Sequence, residues 1–107
     1  MEIKLVSEDA RRKLSEFGEG GNWKVCKVLE AKTDCWVGNH YHKLKDEMFL
    51  LIEGSGTFVL EQQTRVEQAP FSLFVKRGQY HAFNLKKGSV LIGLATELHD
   101  PKDDYQI

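Results

Sequence analysis

Between Trp23 and Glu97 the apolar residues come in short runs rich in β-branched and aromatic side chains, with no helical spacing between them. The runs fall at about 22–31, 34–42, 47–53, 56–61, 64–68, 71–76, 80–85 and 90–97. Turn chemistry separates many of them, at Thr33-Asp34, Lys43 to Asp46, Gly54-Ser55-Gly56, Gln62-Gln63, Arg77-Gly78 and Lys86 to Ser89. Seven or eight short strands predict an all-β sandwich or barrel and argue against a βαβ fold. Pro70 precedes a strand and Pro101 lies in the tail, so neither removes a central ladder hydrogen bond.

The start of the chain reads differently. Ser7 can N-cap a short helix with Glu8 and Asp9 in its first turn and Arg11, Arg12 and Lys13 in its middle, the charge order that suits the helix dipole. Ala10, Leu14 and Phe17 then share a face, and Gly18, Gly20 and Gly21 end the element. The expected organisation is one domain over 1–107, with an N-terminal strand or helix at 1–21, a barrel at about 22–97 and a polar tail at 98–107 that frays or packs on a neighbouring subunit.

Composition narrows the function classes. With 15 basic and 16 acidic residues the chain has no general attraction for nucleic acid or anionic lipid. The longest apolar run, Met48 to Ile52, is far too short to cross a bilayer, and the start lacks a signal-like apolar stretch. The expectation is a cytoplasmic protein with no membrane or nucleic-acid partner. Cys26 and Cys35 lack CxxC spacing and read as reduced core thiols.

The histidines carry the chemistry. His40 and His42 stand two apart in GNHYHK, so a strand projects both imidazoles from one face and Tyr41 from the other. Glu47 follows a short polar turn, so a hairpin returns its carboxylate beside them. His81 arrives from a later strand after Arg77-Gly78 and supplies a fourth donor. Taken singly, each histidine reads as a satisfied polar residue at a barrel mouth; the set reads as a site for one divalent metal ion. Imidazoles suit zinc, nickel, iron and copper, and the carboxylate keeps manganese and ferrous iron within reach.

On these residues the sequence resembles the cupin superfamily, through GNHYHKLKDEMFLLIEG at 38–54 and KRGQYHAFN at 76–84. His40, His42, Glu47 and Gly54 match the first cupin motif, and Gly78 and His81 match the second. Lys76 replaces the second motif's proline, Asn84 comes one residue early, and Asp34 stands where the first motif opens with glycine. The resemblance implies a jelly-roll-like barrel with a metal inside it, and often a homodimer that exchanges edge strands.

The segment at 38–47 looks most like cupins of sugar-nucleotide and cell-surface polysaccharide pathways, which implies epimerisation or ketoisomerisation of a small-molecule substrate. A metal would then polarise a carbonyl or hydroxyl, while Tyr80 and an unligated histidine serve as acid and base. Some relatives in that group work without metal, and His42 or His81 would then change from ligand to catalyst. The alternatives are an iron-dependent dioxygenase-type site and a non-catalytic binding or sensor module. Trp36, Phe49, Tyr80 and Phe83 are expected near the metal, as pocket lining or as barrel core. Lys43, Lys45 and Arg77 flank the ligand segments and read as solvated turn residues, or else as receivers of a substrate phosphate or carboxylate, and His99 is left outside the site.

Overall fold

The computed structural model describes residues 3–11, 13–17 and 21–106. Its strands, in chain order, are β1 (Lys4–Glu8), β2 (Lys13–Glu16), β3 (Val25–Glu30), β4 (Cys35–His40), β5 (Glu47–Glu53), β6 (Ser55–Leu60), β7 (Gln63–Gln68), β8 (Phe71–Val75), β9 (His81–Leu85) and β10 (Val90–Ala95). Every run of the barrel region expected from hydrophobic patterning is present as a strand.

Two antiparallel four-stranded sheets, ordered β3-β10-β5-β8 and β4-β9-β6-β7, face each other as a jelly-roll-like sandwich. Leu51, Phe58, Phe83, Leu85 and Leu91 meet between them, each almost wholly removed from water. The ring of Phe58 packs 4.8 Å from Phe71 and 5.0 Å from Phe83, centroid to centroid. Full burial of such side chains stabilises by about 1.5–3 kcal/mol each.

The N-terminal helix expected from Ser7 onward is absent; the segment is instead the β1–β2 hairpin, a two-stranded sheet of its own. Asp9 explains the change. Its carboxylate accepts a hydrogen bond from the Arg11 backbone N–H at 2.8 Å and holds the Arg11 guanidinium at 3.2 Å, a local turn that competes with helix formation. Ser7, expected as a cap, pairs with Leu14 in the ladder. Gly18, Gly20 and the side chain of Leu14 lie outside the described residues.

The described part of the tail folds back onto the chain's own barrel. Asp100 caps a 3-10 turn at Pro101–Asp103 by accepting from the Lys102 N–H at 2.9 Å, and Tyr105 then forms a β-bridge with Tyr41. No helix among the described residues is long and apolar enough to cross a membrane.

Candidate functional site

Strand β4 delivers its histidines through an irregularity. Cys35 and Val37 face the core, and Trp36 points outward with 59% of its surface exposed. Unbroken alternation would turn Asn39 inward and both His40 and His42 to solvent. Instead Gly38 and Asn39 both adopt left-handed backbone, at φ 84° and 64°. The ladder passes from Gly38↔Ala82 to His40↔His81, leaving Asn39 as an extra residue. This bulge rotates His40 inward, with its ring 4.7 Å from that of His81 and 4.3 Å from that of His42. A Cβ at Gly38 would stand 3.0 Å from the His81 carbonyl oxygen, so space as well as φ calls for glycine there.

All four donors expected from the sequence converge. Ligand atoms of His40, His42 and His81 lie within 4.8 Å of one another. Glu47 Oε1 is 3.2 Å from His42 Nε2 and 3.6 Å from His81 Nε2. His42, Glu47 and His81 are 4%, 7% and 2% exposed, so these contacts are formed out of water.

Backbone carbonyls fix the tautomers. The Asp103 carbonyl lies 2.9 Å from His42 Nδ1, and the Gln79 carbonyl lies 3.4 Å from His81 Nδ1. A carbonyl only accepts, so in the neutral rings Nδ1 carries the proton and Nε2 is bare. Two bare nitrogens and a carboxylate oxygen therefore face one another. Glu47 Oε1 is buried without a hydrogen-bond partner, and its approach to His42 is electrostatic contact rather than an aligned hydrogen bond. An orphaned acceptor among acceptors is satisfied by a cation, which is the fit test a divalent metal would have to pass.

The electrostatics agree. Burial, only partly offset by Glu47, pushes His81 down to about 4 and keeps it neutral. Burial and the neighbouring His42 also lower His40. Burial works against a charge on His42, but Glu47 and the Asp103 carbonyl outweigh it and raise its pKa. For Glu47, burial pushes upward and is outweighed by His42 and His81, which hold the carboxyl below its ordinary value.

Beside the cluster is a cavity of about 180 Å³, walled by Val37, Phe49, Phe83 and Leu91 and reached by Lys27, His40, Glu47 and His81. Gly93 and Ala95 leave it room where β10 crosses β5, and a Cβ at Gly93 would come 3.1 Å from the Phe49 ring. His42 is not part of this wall; it lies behind Glu47, against the tail.

Two of the four aromatic residues expected near the metal, Phe49 and Phe83, line the cavity. Trp36 faces outward because it alternates with Val37. Tyr80, read as an acid, also lies off the cavity wall, and its hydroxyl donates to Asn39 Oδ1. Lys43 sits with its ammonium 4.4 Å above the Tyr105 ring, and Arg77 pairs with Asp46 at 3.2 Å. Lys45, expected in solvent, is 3% exposed and close enough to oppose positive charge on His40 and His42. His99 stays outside the cluster. Sequence reasoning missed Asp103 and Asp104, whose polar tail gives no periodic signal, and Lys27, whose inward position follows from its pairing with Gly93.

No protein-family model and no curated protein matches the chain. Among solved structures it is similar to a 3,4-ketoisomerase from Helicobacter canadensis, with TM-score 0.81 and 20% identity over 100% of this chain and 92% of that one. A TDP-fucose-3,4-ketoisomerase from Campylobacter jejuni gives TM-score 0.84 at 14% identity, covering 98% and 85%. A 3'-monoepimerase from Streptomyces bikiniensis, solved with dTDP-quinovose, gives TM-score 0.84 at 16% identity, covering 100% and 67%. At these identities the likeness establishes a shared fold.

Proposed function

We propose that the chain is a single-domain cupin in which His42, Glu47 and His81 hold one divalent cation (zinc, iron, manganese or nickel), with His40 beside it on the cavity wall. The reaction proposed is ketoisomerisation or epimerisation of a nucleotide-linked sugar. The observation that carries the cation is the buried Glu47 oxygen facing two nitrogens whose protons are held elsewhere. The fold neighbours, which are ketoisomerases and an epimerase by description, support the choice of reaction.

A bound cation would supply Lewis-acid polarisation of a substrate carbonyl. His40 faces the cavity, and among the described residues no hydrogen bond fixes either of its ring nitrogens. It is therefore the base that takes a proton from the carbon next to the carbonyl. Protonation of the same carbon on the opposite face, by an acid other than His40, gives epimerisation; returning a proton to the former carbonyl carbon, as the neighbouring hydroxyl loses its own, gives the isomeric ketone. Phe49 and Phe83 keep water from the intermediate. Lys27 and Leu29 of edge strand β3 and Val37 and Gly38 of edge strand β4 line the cavity, which makes the gap between these edges the entrance proposed for a small-molecule substrate.

The proposal includes a homodimer and a cytoplasmic setting. Leu5 and Val6 are 55% and 48% exposed on a hairpin that forms its own sheet, and a lone two-stranded hairpin is marginal in water. A second subunit would cover it.

One observation favours a second reading, in which a proton replaces the cation. His42 has a raised pKa, and an imidazolium there would satisfy the same Glu47 oxygen. Elemental analysis of protein purified without chelator separates the two, with about one metal per chain expected from the donor set. Incubation with a TDP-linked 4-keto-hexose in D₂O, followed by proton NMR, is expected to show deuterium entering next to the carbonyl, and His40→Asn is expected to stop it. Absence of exchange would sink the isomerase reading, and oxygen uptake with bound iron would move the site to dioxygenase chemistry.

A further inference from the structure

The residues of 41–44 and 103–105 meet along a continuous seam. Tyr41 and Tyr105 exchange backbone hydrogen bonds of 2.9 and 3.1 Å, and their rings stack at 5.2 Å. The buried Asp103 carboxylate accepts from the Lys43 N–H at 2.9 Å and from the Leu44 N–H at 3.3 Å. Between these anchors, His42 Nδ1 meets the Asp103 carbonyl at 2.9 Å and the Asp104 carboxylate at 3.2 Å.

Each contact has a separate consequence. The Asp103 carboxylate fixes the turn that follows the histidine pair, so the chain leaves His42 in one direction. The Tyr105 bridge fixes the strand position that precedes it. With both flanks held, the Asp103 carbonyl and Asp104 carboxylate face one ring nitrogen only, and neither donates. The opposite nitrogen is the one 3.2 Å from Glu47. We infer that the C-terminal segment 103–105 is a positioning element of the site, which locks His42 as the Nδ1–H tautomer and presents a bare Nε2 toward Glu47. Asp103 and Asp104 lie off the cavity wall; they act through His42.

This deepens the proposed function and rests on it only for the identity of what Nε2 meets. The lock itself exists with or without a cation. A ligand histidine that loses its outer hydrogen-bond partner commonly loses about 10–100-fold in metal affinity.

The test reads the tautomer directly, by long-range ¹H–¹⁵N correlation of the His42 ring in chelator-treated full-length protein at alkaline pH, where the ring is neutral. The expected spectrum shows Nδ1 protonated and Nε2 bare. Asp103→Ala, which frees the turn, is expected to move His42 toward the Nε2–H form and to weaken binding of zinc alone by about 10–100-fold. Asp103→Asn, which keeps an acceptor for the Lys43 N–H, is expected to restore much of both. Asp104→Ala is expected to give a smaller shift in the same direction, and it carries the mutational test if Asp103→Ala does not fold.

An Nε2–H tautomer in the unaltered protein would overturn the inference outright. So would an unchanged tautomer and unchanged zinc affinity in the folded variants. If the unaltered protein binds no zinc yet shows the Nδ1–H tautomer that the variants lose, the cation reading fails and the positioning role stands.

Discussion

His40 pairs with His81 across β4 and β9 because Asn39, one residue earlier, steps out of the ladder. The extra residue shifts the alternation of β4 by one, so the histidine that would face water faces His42 and His81.

Deleting Asn39 would restore an unbroken ladder with His40 still inward, whereas inserting one residue between Asn39 and His40 is expected to keep the two sheets, turn His40 and His42 outward and lose the site. Elemental analysis or zinc titration should show binding abolished while the far-UV circular dichroism remains β-type. Asn39→Gly should be tolerated, whereas Asn39→Val, which forces a β-branched residue to a φ of 64°, should cost about 1–2 kcal/mol in denaturant unfolding.

Gly93 gives the cavity part of its room. Gly93→Val would drive side-chain atoms into the Phe49 ring, 3.1 Å from the new Cβ, and should cost about 1–3 kcal/mol. Substrate binding should fall further than stability explains, which isothermal titration with a TDP-sugar beside thermal unfolding would show.

Lys45 is a buried cation near the cluster. Replacing it with methionine keeps most of the volume and removes the charge that opposes a positive neighbour, so zinc should bind several-fold tighter, on the order of 1 kcal/mol. An unchanged or weaker affinity would mean that Lys45 serves packing alone.

Acid should destabilise the metal-free protein within a defined window. His81 is neutral in the fold, with its pKa lowered from 6.5 to about 4, so between those values the unfolded chain binds the proton and the folded one does not. Stability then falls as pH drops from 6.5 toward 4, by a few kcal/mol at most, on the order of the shift itself. The raised His42 contributes above 6.5, where its stabilisation is lost as pH rises, so it does not mask this slope. Urea midpoints across the range should show the slope, and His81→Gln should reduce it, leaving the part that the lowered His40 contributes.

The barrel was legible because each strand is a short apolar run closed by turn residues; the Gly54 turn and the Lys86–Ser89 turn stand where composition placed them. The clustering of the histidines was legible because two residues of spacing put His40 and His42 on one face whichever face that is. What composition could not say is which face, since that depends on Asn39 adopting a left-handed conformation against β9. The N-terminal helix failed for a related reason. The same acid-then-base order that suits a helix dipole also suits a turn closed by Asp9, and pairing with β2 decided between them. Asp103 was invisible as a site residue because its carbonyl and its carboxylate both act on residues some 60 positions away, from a polar segment with no periodic signal.

The contact between His42 and Asp103 spans 61 positions of sequence. The residue that orients His42 therefore lies outside all the strands, on the segment that follows the last of them. Closure of the two sheets and orientation of His42 thus depend on different segments of the chain, so a change confined to 101–105 would alter the site and leave the sheets intact.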